Sequence, residues 1–495
     1  MIQRTSVPVQ RLPLRFVGDD RWVITRPFLP GSGDRTSHLF KRVGLLSDDQ
    51  VEQVLAQVID DFRRRHHDIE MVFKDHFEAA LASLEHAGMQ YAGEEGPLSR
   101  ARRLLIGSYC TMEYSVASAA LFNPSIVPHP DQSDVPSGSL RFIMSLRATG
   151  EGHLSSIVFR TGLIHSDHTI DVDSPGPFTH RARLSPNRLY IKQLFRRKLL
   201  DIAVVESAVD PVLSLLPEQF TMAELEHAIS AARHAEPDGI QAEEATDSML
   251  WLARENYQLH LHQDANISEI VVFPQSENES RGIEDLRLVP FVDDDGTRSL
   301  MGTYTAFNGH RALPQFMRMT DYLNISIHTL NGVCAQNKGM ALFPRRVDGH
   351  YCMCSRIDGE NMYIMFSDIL EFWETAELLQ APKQPWEFIQ VGNCGSPLET
   401  PAGWLLLTHG VGPMRGYCIG AMLLDLENPL KVLGHLEEPL LIPTEEEREG
   451  YVPNVVYSCG SLIHNDFLYL PYAMSDTMTG FATVELEALL EKLVG

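Results

Sequence analysis

Cysteine is scarce in this chain of 495 residues, and no two cysteines stand in a CxxC spacing. Cys110, Cys334, Cys352, Cys354, Cys394, Cys418 and Cys459 form an odd, scattered set, which argues against both a disulfide framework and a zinc site. Cys352 and Cys354 fall two apart in the alternating run HYCMCSRI, so they share one face of a strand and are read as reduced core residues. No stretch approaches the roughly 18 consecutive apolar residues of a membrane-spanning helix. The start, MIQRTSVPVQRLPLRF, lacks the apolar core of a signal peptide, so a cytoplasmic location is expected. There is no GxGxxG after a strand, no glycine loop ending in Gly-Lys-Ser or Gly-Lys-Thr, and no GxSxG to partner HGVG at 409–412. Dinucleotide, nucleoside triphosphate and serine-hydrolase chemistry therefore have no support. Basic residues are outnumbered, 41 against 66 acidic, and the formal charge of −25 repels phosphate backbones and anionic headgroups. Neither nucleic acid nor a membrane surface is an expected partner.

The 44% apolar content is that of a globular protein with a sizeable core. Residues 1–117 read as an N-terminal helical region. LSDDQVEQVLAQVIDDF opens with Ser47 as an N-cap, and MVFKDHFEAALASLEHAG is a second helix stopped by Gly88. From FNPSIVPHPD onward short alternating runs are separated by Gly, Pro and Asp clusters, as hairpins are. Helical patterning returns between 185 and 263, in RLYIKQLFRRKLLDIAVVESAV and TMAELEHAISAARHA, and strands resume at ISEIVVF. GIEDLRLVPFVDDDG, KGMALFPRRVDGH, CGSPLETPAGW and VPNVVYSCGSLIHND each read as strand, polar turn and second strand, and FNPSIVPHPDQSD upstream has the same character. Recurrence near every 56 residues, anchored at Asp285, Ala341, Pro397 and Asn454, predicts a mainly β chain. The architecture expected is a five-bladed β-propeller over 118–495, with 185–263 as a helical insertion between its first two blades; an irregular β-sandwich is the competing reading. The helical parts are expected to pack together, covering one mouth of the channel or joining copies of the chain as a homo-oligomer.

At these repeat starts the sequence resembles glycoside hydrolase family 130, the β-mannoside phosphorylases and β-mannosidases. The matching pieces are FNPSIV at 122–127, GIEDLRLV at 282–289, YTAF at 304–307, NKGMALFP at 337–344, CGSPLETPAGWLLLTHGVG at 394–412, GYVPNVVYSCG at 450–460 and AMSDT at 473–477. The resemblance implies a carbohydrate-active enzyme cleaving β-mannosides. It also implies that Asp285, in a Glu-Asp-Leu-Arg segment where the family has Glu-Asp-Pro-Arg, is the general acid. Crowding and burial in a propeller channel are expected to raise its proton affinity. Lys338 and Arg356 match positions that hold phosphate in the phosphorylases. Asn123, Arg147, Tyr304, His409 and Asp476 match positions suited to hydrogen-bonding sugar hydroxyls.

A third phosphate position normally carries lysine, but the segment here is SPLET, so Glu399 stands in its place. A carboxylate near a phosphate opposes its entry by about 4 kcal/mol for unit charges 4 Å apart at an effective dielectric near 20. The same group could polarise a water opposite Asp285, as in an inverting hydrolase. The reading is therefore an exo-acting, inverting β-mannosidase on β-1,2-linked manno-oligosaccharides, with Asp285 as acid and Glu399 as base. The alternative is a β-mannoside phosphorylase releasing mannose 1-phosphate, with inorganic phosphate as co-substrate. A third reading is a non-catalytic propeller that binds glycans or a protein. No metal and no other cofactor are expected. His66 and His67 are assigned to a surface helix.

Overall fold

A computed structural model of the protein describes residues 6–31, 33–88, 98–185, 188–235, 240–261, 266–321 and 324–495. Residues 1–5, the beginning of the segment read as lacking a signal peptide, lie outside the described residues, as do parts of the segment 185–263. The chain is mainly β, with several antiparallel sheets and two groups of helices.

Five meanders succeed one another along the sequence. The first runs through Ala120–Pro128, Leu140–Thr149, Ser155–Ile164 and Ile170–Val172. The second comprises Gly282–Val292, Arg298–Phe307, Ala312–Asp321 and Asn324–Thr329, and Tyr257–His260 extends it on the outside. The third is Lys338–Leu342, Tyr351–Arg356, Met362–Ser367 and Ala376–Gln380. In the fourth, Gln390–Asn393 and Leu398–Thr400 both pair with Gly403–Val411, followed by Tyr417–Leu424 and Val432–His435. In the fifth, Val456–Tyr457 and Leu462–His464 share Phe467–Met474, followed by Met478–Glu485.

Strands such as Gly403–Val411, GWLLLTHGV, are buried at every residue, which suits a strand covered on both faces by neighbouring sheets. Hydrogen bonds join each meander to the next. The Leu288 amide donates to Ser125 Oγ (3.0 Å), Thr303 Oγ1 to the Met340 carbonyl (2.5 Å), and Asn393 Nδ2 to the Gly339 carbonyl (2.5 Å). The Tyr417 amide donates to the Asn454 carbonyl (3.0 Å), and the Cys459 amide reaches the Pro124 carbonyl of the first meander (2.8 Å).

The region expected to be wholly helical opens instead with two strands, Val9–Phe16 and Asp19–Pro27. Val9–Phe16 pairs antiparallel with Met478–Glu485, so it belongs to the fifth meander, and Phe16 packs against Phe481 with ring centroids 6.0 Å apart. Helices α1 (Gly33–Gly44), α2 (Asp48–Phe62), α3 (Ile69–His86) and α4 (Arg100–Tyr109) follow. Ser47 caps α2 in a reciprocal capping box with Gln50, where sequence placed it. His66 and His67 lie in the turn between α2 and α3. His66 is buried and bonded to Glu113 at 2.7 Å, which corrects the surface-helix assignment. Helices α5 (Lys192–Asp201), α6 (Glu206–Leu213), α7 (Met222–Ala235) and α8 (Ile240–Glu255) occupy most of the predicted excursion.

The two helical groups were expected to pack together, but each closes a core of its own. Phe40, Val51, Phe77 and Leu105 form one, and Phe195, Leu199, Phe220, Met249 and Leu252 form the other. The second group is pinned to the sheets by a buried lysine: Lys198 Nζ donates to Asn256 Oδ1 (2.8 Å) and the Thr329 carbonyl (3.2 Å) and pairs with Glu371. All seven cysteines are buried and unpaired. Among the described residues no helix is long and apolar enough to cross a membrane, and no three or more His, Cys, Asp or Glu side chains converge as a metal site.

Removing one member of a buried ion pair strands the other without compensation. Lys198→Met is therefore expected to destabilise the protein by roughly 3 kcal/mol. Limited proteolysis should then cut first within 192–255, while wild type resists under the same conditions.

Candidate active site

The first strands of the first three meanders share one irregularity. Their pairing register slips between Phe122 and Ser125, between Glu284 and Arg287, and between Lys338 and Ala341. Each slip holds a residue of positive φ: Asn123 (48°), Asp285 (57°) and Gly339 (85°). Asn and Asp tolerate this left-handed conformation better than other non-glycine residues because their short polar chains bond locally. A bulge re-aims the side chain that occupies it. Here two bulges bring Asn123 Nδ2 within 2.7 Å of Asp285 Oδ1.

Charged groups from three meanders close around this pair. Arg147 Nη2 donates to Glu284 Oε1 (2.8 Å), and its Nη1 lies 3.5 Å from Asp285 Oδ1. Lys338 Nζ donates to Glu284 Oε2 at 2.6 Å. Arg287 Nη1 donates to the Asp285 carbonyl (3.0 Å), and its Nη2 to Tyr457 Oη (2.6 Å). Arg356 sits opposite Lys338 in the ladder and contacts His409 Nε2 through Nη1 at 3.1 Å. Asp476, which like Asp285 has positive φ, lies in the field of Asp285, Arg147 and Glu284.

The proton affinities do not follow the sequence expectation. Burial favours the neutral form of Asp285, but Arg147, Arg287, the Asn123 amide and Lys338 outweigh it and hold the carboxyl below its ordinary range. The raised carboxyl is Asp476, pushed up to about 6 by burial and by Asp285, against Arg147 and Arg415. His409 is held well below its usual 6.5 by burial, then by Arg356 and Arg287.

Of the residues singled out from sequence, the structure brings Asn123, Arg147, Asp285, Lys338, Arg356, His409 and Asp476 into this neighbourhood. Tyr304 is not among them. It is 2% exposed in the core of the second meander, where its hydroxyl donates to Glu279 Oε1 beside Tyr257. Glu399 is also elsewhere. It is solvent-exposed and held bidentately by Arg345, at 2.9 and 3.0 Å. Arg345 bridges to Val292, at the far end of the strand whose beginning carries Asp285. Seven residues of strand separate Asp285 from that end, roughly 20 Å. An inverting pair needs about 6.5–9.5 Å between its carboxyls, so Glu399 cannot be the partner base of Asp285. With Val127, Pro128, Pro344 and Ile463 it lines a separate cavity of about 310 Å³.

Sequence reasoning gave no role to Glu284, Arg287 or Tyr457, although all three stand in the motif segments it quoted. Their signal was adjacency: Glu284 and Arg287 stand within two residues of the bulged Asp285, and Tyr457 ends the strand Val456–Tyr457.

A family model described as β-1,4-mannooligosaccharide phosphorylase matches residues 260–494. The 1,2-β-oligomannan phosphorylase of Thermoanaerobacter sp. (strain X514) is 36% identical over 221 residues, 44% of this chain and 73% of that enzyme. The chain belongs to glycoside hydrolase family 130. A second relative within the family, the β-1,2-mannobiose phosphorylase of the same organism, is 34% identical over 222 residues, covering 44% of this chain and 71% of its own length. Among solved structures, the β-1,2-mannobiose complex of the Listeria innocua β-1,2-mannobiose phosphorylase aligns over 77% of this chain and 93% of its own, at 19% identity and a TM-score of 0.46. The segment matched by the family 130 model contains Asp285, Arg287, Lys338, Arg356, His409, Tyr457 and Asp476; Asn123 and Arg147 precede it.

Because the folded site binds the Asp476 proton more tightly than an unfolded chain does, that group's contribution to stability is full below about pH 4. It is lost as pH rises through about 6. Asp476→Asn should flatten the decline of Tm between pH 4 and 7 relative to wild type, as read by calorimetry.

Proposed function

We propose that this family 130 member is a β-mannoside phosphorylase that transfers a mannosyl unit to inorganic phosphate in one inverting displacement. The observation that carries the reading is Arg356. Arg147 and Lys338 share the Glu284 carboxylate, whereas Arg356 has no carboxylate partner among the described residues. A guanidinium left without a carboxylate in the same cluster suits a bidentate oxyanion ligand. The charge argument for hydrolysis loses its basis, since Glu399 is tied to Arg345 and stands clear of Asp285. The printed names of the two Thermoanaerobacter relatives, both phosphorylases of β-1,2-linked mannosides, support this choice and favour β-1,2-linked manno-oligosaccharides as substrate.

In this reaction a phosphate oxygen attacks the anomeric carbon of the nonreducing mannosyl unit from the face opposite the leaving group. The bond from that carbon to the glycosidic oxygen breaks, and the oxygen takes the proton of Asp285. The products are mannose 1-phosphate and a chain shorter by one sugar. Arg356 and Arg287 hold the phosphate, Lys338 borders it, and Asn123, Arg147 and Asp476 face the sugar. In the resting site the cations keep Asp285 ionised. A phosphate dianion entering among them offsets that field. A unit charge 4 Å away is worth about 4 kcal/mol at an effective dielectric near 20, or about three pKa units. Phosphate thus prepares its own acid, and cleavage without phosphate is disfavoured.

The scaffold belongs to the same proposal. The five meanders, hydrogen-bonded in sequence and with the fifth reaching the first, are read as the blades of one propeller, and 185–263 as an excursion between the first two. Its inner strands deliver the catalytic groups to the axis.

Incubation with β-1,2-mannobiose in the presence and absence of inorganic phosphate tests the function directly. Mannose 1-phosphate should form only with phosphate, and release of free mannose at an equal rate without it would refute the proposal. Asp285→Asn should lower kcat by about 10²–10⁴-fold. Glu399→Gln should stay within about two-fold of wild type, in contrast to the loss a catalytic base would show.

A further inference from the structure

His409 is enclosed on every side. It is 2% exposed on the strand Gly403–Val411, its ring stacks on Tyr417 (centroids 5.9 Å apart, 12° between planes), and it meets Tyr457 edge-on at 5.0 Å. Gly392, its partner on the neighbouring strand, leaves the space the ring occupies. A Cβ there would come within 2.6 Å of the imidazole Cε1. A side chain so confined has no free edge to offer a sugar hydroxyl.

Its two nitrogens are both committed, and their partners fix the proton. Nδ1 lies 3.0 Å from the Asn393 carbonyl oxygen, which can only accept, so Nδ1 carries the hydrogen. Nε2 lies 3.1 Å from Arg356 Nη1, which can only donate, so Nε2 presents its lone pair. A second ring proton would set N–H against N–H. Burial and the adjacent Arg356 and Arg287 guanidinium groups oppose it further, while Asp285 is the carboxylate that favours it. The imidazole is a neutral acceptor of fixed orientation, anchored to backbone at one end and to a guanidinium at the other. It supplies the one hydrogen bond that the Arg356 side chain makes among the described residues, and Arg356 Nε is buried without a partner.

The geometry points to His409 as a positioning residue for the attacking phosphate: it holds the Arg356 guanidinium in place by accepting one of its hydrogens, and it does not touch the sugar. This rests on the phosphorylase reading above. Without the acceptor, Arg356 keeps its charge but loses its orientation, so the cost falls on capture of phosphate and not on capture of mannoside. Because the ring stays neutral, the phosphate step carries no imidazole titration.

The test compares His409→Phe, which keeps a flat ring but no acceptor, with His409→Gln, which restores an acceptor. Steady-state phosphorolysis of β-1,2-mannobiose is measured for both, with folding checked by circular dichroism. The expected result for His409→Phe is a phosphate KM raised at least ten-fold with the mannobiose KM within about three-fold of wild type. His409→Gln should recover most of the phosphate affinity. An equal rise in both KM values, or no change in either, overturns the assignment. Should His409→Phe fail to fold, the wild-type enzyme labelled with ¹⁵N-histidine decides: a ring fixed in the Nδ1–H form from pH 5.5 to 8 supports the proposal, and a ring titrating near 6.5 overturns it. A wild-type enzyme with no phosphate dependence refutes the phosphorylase reading and the inference together. Failure of the variants in a phosphate-dependent enzyme refutes the inference alone.

Discussion

The carboxylate of Glu284 is where three meanders meet. It belongs to the second meander, accepts from Arg147 of the first and Lys338 of the third, and sits directly before the bulged Asp285. A buried carboxylate with two cations is satisfied only if both hold their places, so the relative placement of the three inner strands and the setting of Asp285 are one constraint. The bulges at Asn123 and Asp285 act in the same direction. Each spends a less favoured backbone conformation to turn a short polar chain toward its counterpart.

This arrangement explains how a chain of net charge −25 can present a cationic site. The acids are spread over the surface, where solvent screens them. The cations gather at the inner strands, where burial preserves their field. Within that cluster the roles divide by partner. Arg147 and Lys338 share the single charge of Glu284, Arg287 is drawn to the Asp285 backbone and Tyr457, and Arg356 is held by a neutral imidazole that leaves its charge uncompensated.

Much of this was legible in sequence. The recurrence near every 56 residues located the meanders, and the motif starts held Asn123, Asp285 and Lys338. What failed did so for identifiable reasons. Glu399 follows a break at Cys394–Pro397, where pairing with Gly403–Val411 lapses and resumes; a motif match counts residues and does not reveal toward which end of an inner strand the resumed segment runs. Tyr304 was misjudged because its neighbour Tyr257 arrives on a strand that follows four helices, and alternation alone cannot tell which sheet such a strand joins. The rise expected in the proton affinity of Asp285 counted burial and carboxylates, whereas the deciding charges were Arg147, from another meander, and Arg287, two residues along.

The pairing of Val9–Phe16 with Met478–Glu485 sets an order of events during synthesis. The earlier strand must wait for the later one, with roughly 460 residues between them. At translation rates of about 5–20 residues per second the delay is about 25–90 s. An unpaired strand edge exposed for that long invites association with other nascent chains. VQRLPLRF carries its own deterrents, since Arg11 and Arg15 place charge along the edge and Pro13 removes a donor from it. In the finished protein Arg11 finds Glu447 and the Ile442 carbonyl, so one of the groups that guard the waiting strand also fastens it once it is home.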